Sequence, residues 1–225
     1  MKHFIDKLDY VPNKAALLKA VRLDPDSDEA DDFTDIVDCV AVLAKPKAYV
    51  ASATVGDSSV YPAIRIDGVE FSGSILYDNV KDLETVWPFI ATCGMEAYQY
   101  VMSIPDPIEK IWGEIVLENI LGIAEKAMSD FIAGEVYDGK TASIAPGSLS
   151  EWPVEQQVPL FTILGEGPGK CGITLTETML MIPNKSISGI VFPNEHGYVS
   201  CKLCPREGCP NRRAAYESEN LLSTF

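Results

Sequence analysis

The most specific chemical pattern in the 225-residue chain is Cys201-x2-Cys204-x4-Cys209. Two thiolates separated by two residues can meet one metal ion or one corner of a cluster, and a third a few positions on closes the loop around it. Pro205 and Pro210 each follow one of these cysteines directly and stiffen the chain there. Soft sulfur donors select zinc or iron–sulfur chemistry over magnesium or calcium. The fourth ligand position is open to several groups. His196, in the order His-x4-Cys-x2-Cys-x4-Cys, would complete a Cys3His zinc set. Cys171 or Cys93 could close the site from elsewhere in the fold, and an open position would suit a 4Fe–4S cluster with one free iron. The plain alternative is three reduced, unligated thiols on a flexible tail.

Few other patterns compete. Two histidines in the whole chain leave a histidine-based hydrolytic centre or a catalytic triad short of donors, and His3 falls in a terminus expected to be disordered. No Gly-x4-Gly-Lys-Ser/Thr loop is present for a nucleoside triphosphate. Gly165-Glu166-Gly167-Pro168-Gly169 is glycine-rich, but it follows a helical pattern and contains proline, so it reads as a loop between helix and strand. Asp24-x-Asp26-x-Asp28 imitates the start of a calcium loop, yet the position that needs glycine holds Glu29. That segment reads instead as an acid-rich helix start, favoured by the helix dipole. Cys39 and Cys93 read as small buried hydrophobes.

Periodicity supplies the elements that must hold such a site. Residues 14–23 repeat apolar positions at three and four, and a second helix runs from the acidic segment to Pro46. Strand patterns follow at 49–55, 60–66, 69–71 and 86–92, with turns at 56–59 and at Asp67-Gly68. The clearest element is a helix over 107–133: Asp106 caps it, Pro107 fits its first position and Glu109 completes a capping-box-like pair. Its apolar face is read as Ile108, Trp112, Ile115, Val116, Ile120, Ile123 and Ala127, while Gly113 and Gly122 predict close approach of another backbone. A turn at Pro146-Gly147-Ser148, a helix from Ser150 to Leu164, strands at 172–176 and 186–192 and a polar C-terminal helix complete the reading.

With 47% hydrophobic and 23% charged residues the chain can bury a sizeable core, which excludes disordered, collagenous and repeat classes. No long apolar run or signal-like N-terminus stands in the sequence, so a cytoplasmic location without membrane contact is expected. A net charge of −15 repels a phosphate backbone, which argues against nucleic acid as a partner. The expected fold class is α+β: a single mixed domain with a central, largely antiparallel sheet flanked by helices over 1–195, and a cysteine-rich metal-binding tail over 196–225 packed on it.

The order of motifs in the last half adds a resemblance. Pro146-Gly147-Ser148-Leu149-Ser150-Glu151-Trp152-Pro153, then Gln157 and Leu160-Phe161, then Gly172-Ile173-Thr174-Leu175-Thr176-Glu177 and Pro183-Asn184-Lys185-Ser186-Ile187-Ser188-Gly189 resemble the reactivation domain of cobalamin-dependent methionine synthase. Ala91-Thr92-Cys93-Gly94 and Ile123-Ala124-Glu125 fit the same pattern, most closely that of small free-standing relatives carrying a cysteine tail. The resemblance implies a domain that binds S-adenosylmethionine and helps remethylate the cobalamin of a separate methyltransferase protein; the cysteine spacing adds an iron–sulfur cluster or zinc held by the tail. By position, it implies that Glu125 meets the ammonium-bearing end of that cofactor and that the Ala145-Pro146-Gly147 turn receives its adenine. Ser143 stands where that family has an arginine and Ser148 where it has a tyrosine; serine cannot imitate the arginine fork that partners a carboxylate. The alternative function is a non-enzymatic docking module with a structural zinc.

Overall fold

The computed structural model describes residues 1–57, 60–209 and 212–217. In chain order its elements are β1 (Lys2–Ile5), α1 (Lys14–Val21), α2 (Asp28–Leu43), β2 (Lys47–Ala51), β3 (Ala53–Thr54), β4 (Ala63–Ile66), β5 (Val69–Ser72), α3 (Ser74–Val80), β6 (Thr85–Thr92) and α4 (Met95–Ser103). They continue with α5 (Pro107–Phe131), a π-helical turn at Ile132–Val136, β7 (Thr141–Ile144), a short 3-10 turn at Val154–Gln156, α6 (Gln157–Leu164), α7 (Gly167–Cys171), β8 (Thr174–Leu175), β9 (Met181–Ile182), β10 (Ser186–Pro193) and α8 (Ser200–Leu203).

The main sheet runs β1-β2-β6-β10-β7, every pair antiparallel, with β3 paired to the start of β6. Strand alternation divides it into two faces. Ala48, Val50, Trp87, Phe89, Ala91 and Val191 point to one side, where α5 brings Ala124 and Met128. Tyr49, Ala51, Ile90, Ile190, Phe192 and Ile144 point to the other, where Trp152, α6 and the β4–β5 hairpin close over them. Because both faces are covered, β6 is buried from Val86 to Thr92 and reads as a continuous apolar run.

Helix α5 begins as the sequence demands. Asp106 Oδ1 accepts the N–H groups of Ile108 at 2.8 Å and Glu109 at 3.0 Å, filling orphan donors of the first turn. Its buried stripe is Gly113, Val116, Leu117, Ile120, Ala124 and Met128, rotated from the face expected: Ile108 is 60% exposed. The far side of α5 packs with α1, α2 and α4 into a second apolar cluster around Phe33, Val37, Val101 and Leu117. Gly113 lets α4 approach, since a Cβ there would stand 2.8 Å from Val101, whereas Gly122 meets nothing within 4 Å.

Several elements depart from the expectation. His3 is not disordered: it lies in β1 opposite Val50, its ring stacked on Phe131 at 3.9 Å between centroids. The segment after Gly165 is a short helix, α7, and the helix expected from Ser150 begins only at Gln157, because Trp152 turns inward to be fully buried and its carbonyl accepts the Gly147 N–H at 2.8 Å. The polar C-terminal helix is not formed over 212–217 and otherwise falls outside the described residues. No helix among the described residues is long and apolar enough to cross a membrane.

Candidate functional site

The C-terminal half of α5, which carries Glu125, passes the edge strand β7, which leads into the 145–147 turn. A cleft of about 150 Å³ lies between them, lined by Met128, Ser129 and Ile132 from α5 and its π-turn, and by Ser143 and its cross-strand partner Val191. Glu125 stands one turn before Met128 on α5 and is half-buried. Burial pushes its carboxyl above the usual range; the positive charge of Arg213 pulls it back down, and Glu118 pushes it up.

Arg213, brought in by the tail, also lines the cleft. Sequence reasoning missed this residue. Its signal was the pair Arg212-Arg213 beside the cysteine cluster, a local excess of base in a chain with 33 acids against 18 basic residues. Ser143, which stands at the edge of the sheet and is exposed, therefore shares its cavity with an arginine after all.

The 145–147 turn follows β7 immediately. Gly147 sits at φ +78°, where a Cβ would also come within 3.0 Å of Val154, so the turn requires glycine. The carbonyl of Ala145 accepts both the N–H of Ser148 at 3.1 Å and its hydroxyl at 2.6 Å. Ser148 is thus a turn-fixing residue, and the backbone from Ala145 to Gly147 is held rigid beside the cleft.

The cysteine tail is organised around Arg212. Its guanidinium donates to the carbonyls of Cys201 at 3.0 Å, Cys204 at 2.9 Å and Ala214 at 3.2 Å, and also to that of Arg206. The Arg213 N–H donates to Cys201 Sγ at 3.4 Å, tying the cleft's arginine to the first cysteine. Cys201, Cys204 and Cys209 are free and partly exposed. Their donor chemistry suits a thiophilic metal, yet among the described residues no three His, Cys, Asp or Glu side chains stand together as a metal-binding group. His196 instead lines a separate small cavity with Asp78, Lys81 and Asp82. Cys93 and Cys171 are buried in the two core layers and their thiols are pushed up to about 12 by desolvation.

A larger cavity, about 890 Å³, opens elsewhere, between the loop after β3 and the turn leading into β6. Its rim is polar loop, with Asp57, Asp82 and Glu84 beside the exposed Lys81. The smaller α5–β7 cleft is the better candidate because Arg213 lines it and Glu125, half-buried one turn before Met128, feels that arginine's charge.

No family model matches the chain, and no curated protein matches it. Among solved structures, it is similar to the crystal structure of the MetH reactivation domain bound to AdoHcy, with a TM-score of 0.61 at 13% identity over 89% of this chain and 81% of that one. This likeness shows that the chain has the fold of the MetH reactivation domain.

Proposed function

We propose that the chain is an accessory protein of cobalamin-dependent methyl transfer, which supports reductive reactivation and remethylation of the corrinoid of a separate methyltransferase protein. The observation that carries this reading is the charged α5–β7 cleft, set in a fold whose solved counterpart was crystallised with AdoHcy. S-adenosylmethionine, when bound, supplies an activated methyl group. The chain's own residues bind and orient it. Glu125, half-buried on a rigid helix, receives the ammonium, and burial strengthens that contact by lowering the local dielectric. The backbone of Ala145-Pro146-Gly147 offers a fixed surface for the adenine.

A cavity of about 150 Å³ is smaller than the ~300–1,000 Å³ of a pocket that encloses a drug-sized ligand. It takes the amino-acid end, while the nucleoside lies along the sheet edge over the turn. That leaves the sulfonium near the surface, where a partner's corrin can reach it.

The cysteine loop is the second part of the proposal. Its three thiols supply the donors for an iron–sulfur cluster or for zinc, and no step of the reading above is routed through either. The tie that Arg212 makes across this loop also favours a second reading, in which the tail is a structural docking element closed by zinc.

The test is calorimetric titration of AdoHcy into protein purified without oxygen, with iron, sulfide and zinc measured on the same sample. Saturable one-to-one binding, weakened by Glu125→Gln, is the expected result. Absence of saturable binding up to about millimolar AdoHcy, on the scale where ligands contribute only ~4 kcal/mol, overturns the reading. Stoichiometric iron and sulfide would assign the loop to electron transfer; one zinc per chain would assign it to docking.

A further inference from the structure

The cysteine loop is wound around a cation of its own. The Arg212 guanidinium donates to the carbonyl oxygens of Cys201 at 3.0 Å, Cys204 at 2.9 Å and Ala214 at 3.2 Å, together with that of Arg206. Smaller ties close the same stretch. The Lys202 N–H donates to the Val199 carbonyl at 3.0 Å, the Glu217 N–H donates to the Lys202 carbonyl at 2.9 Å, and the Lys202 ammonium pairs with Glu217 at 3.1 Å. Among the described residues, every hydrogen bond and ion pair of residues 199–217 ends within that stretch. The loop's shape is therefore set by its own polar contacts, with one guanidinium at their middle.

That arrangement has the wrong polarity for a loop that holds a metal on sulfur. Thiolates bring negative charge inward, the metal supplies the positive charge, and backbone N–H groups turn toward the sulfurs. Here carbonyl oxygens turn inward instead, onto a group that stays protonated. One element of the other arrangement is already in place, since the Arg213 N–H donates to Cys201 Sγ at 3.4 Å. The three thiols are free and partly exposed, but among the described residues they do not stand together as a donor group. A divalent ion drawn to them meets repulsion from the guanidinium that the same backbone encloses.

We propose that Arg212 is a built-in competitor for the metal: a thiophilic divalent ion that gathers Cys201, Cys204 and Cys209 must first expel its guanidinium from the loop. The inference rests on the reading that the tail's thiols take such a metal, and adds what the metal has to displace. It holds for either form of that reading, a cluster or zinc. The two occupants of the loop exclude each other because both are cations and both need the backbone of 201–206 turned their way. Arg213, one peptide unit from Arg212, lines the α5–β7 cleft, so the exchange takes place next to the candidate ligand site.

The probe is zinc ion alone, titrated without oxygen into the reduced full-length protein in competition with a chromophoric chelator. Wild type is compared with Arg212→Ala, Arg212→Lys, Cys204→Ser and Arg206→Ala, the last removing an exposed positive charge from the same loop. Arg212→Ala should bind zinc roughly 10- to 100-fold more tightly than wild type, the scale of a lost hydrogen bond to a charged group. Arg212→Lys should gain less, and Arg206→Ala only a few-fold. A second reading needs no variant: phenylglyoxal, which modifies accessible guanidinium groups, should attack Arg212 slowly in the wild type and several-fold faster once zinc is bound, by mass spectrometry of the peptides. Weaker zinc binding in Arg212→Ala would make the guanidinium a support of the metal site, and an equal gain in Arg206→Ala would reduce the effect to general electrostatics. Protection of Arg212 that persists in the zinc-loaded protein would show that the metal enters without expelling it. Each of these three results overturns the inference and leaves the metal reading standing. Zinc affinity that is absent throughout, or unchanged in Cys204→Ser, overturns the metal reading of the loop and the inference with it.

Discussion

Two sets of cysteines in this chain occupy opposite environments. Cys93 and Cys171 are fully buried in apolar layers on either side of the sheet; desolvation holds their thiols near 12, so they are small hydrophobes that carry sulfur. Cys201, Cys204 and Cys209 lie partly exposed on a loop whose shape comes from hydrogen bonds to one guanidinium. The core pair is fixed by packing, which tolerates no chemistry. The tail trio is fixed by polar contacts that leave the sulfurs accessible, and its backbone geometry carries Arg213 to the cleft. One residue type serves as filler in one region and as chemical equipment in the other, and burial decides which.

The sharpest way to break that contrast is thiol labelling of the native protein near pH 8. The tail thiols should react on the order of a thousandfold faster than Cys93 and Cys171, because the buried pair has both a small thiolate fraction and no access. Comparable rates, read by mass spectrometry of labelled peptides, would erase the distinction. Next in size is stability. Cys171→Ser places a hydroxyl among apolar neighbours and should cost about 1–3 kcal/mol in urea unfolding, whereas Cys204→Ser should stay within about 0.5 kcal/mol.

A smaller effect isolates the loop itself. Arg212→Ala releases the carbonyls of Cys201 and Cys204 to solvent and should speed amide exchange over residues 200–209 with little change in global stability. Exchange that is unchanged would show that the loop is held by something other than this guanidinium.

The smallest effect is on the pH profile. Burial raises the carboxyl of Glu125 in the folded state above its ordinary value of 4.5, so the native protein holds its proton more tightly than the unfolded chain. Stability contributed by this group is therefore present below the ordinary value and declines as pH rises from there through the raised one. Glu125→Gln should flatten that segment of the profile and leave the protein no less stable at neutral pH, even while AdoHcy binding weakens. AdoHcy affinity in the wild type should fall as pH drops through the same window, when Glu125 loses the charge that meets an ammonium. A steeper profile in the variant would mean that Glu125 is stabilised in its charged form.

Much of the fold was legible where local chemistry and tertiary demand agree. The cap at Asp106, the acid-rich start of α2 behind Ser27, the apolar run of β6 and the strand at β10 were all readable. What escaped were elements without local signals. α3 and α4 are capped by Gly73 and Gly94, which make no side-chain bond; at Gly94 a Cβ would press to 2.6 Å from the Lys45 carbonyl. β1 and β7 are polar edge strands whose pairing, not whose composition, makes them strands. The buried stripe of α5 was rotated because apolar residues such as Ile108 and Ile111 also stand outside it, and only the positions of the sheet and of α4 select which residues are covered.

The sequence by itself determined the fold class, the long capped helix, the rigid turn after the edge strand and a thiol cluster in the tail, because each depends on neighbours within a few positions. Tertiary structure alone decided that Arg213 would line one cleft with Ser143, that Glu125 would feel the charge of that arginine, and that His196 would stand apart from the cysteines. Those juxtapositions arise from sheet order and from the path of the tail. Contacts between residues far apart in the chain are set by which surfaces pack, and no local spacing encodes them.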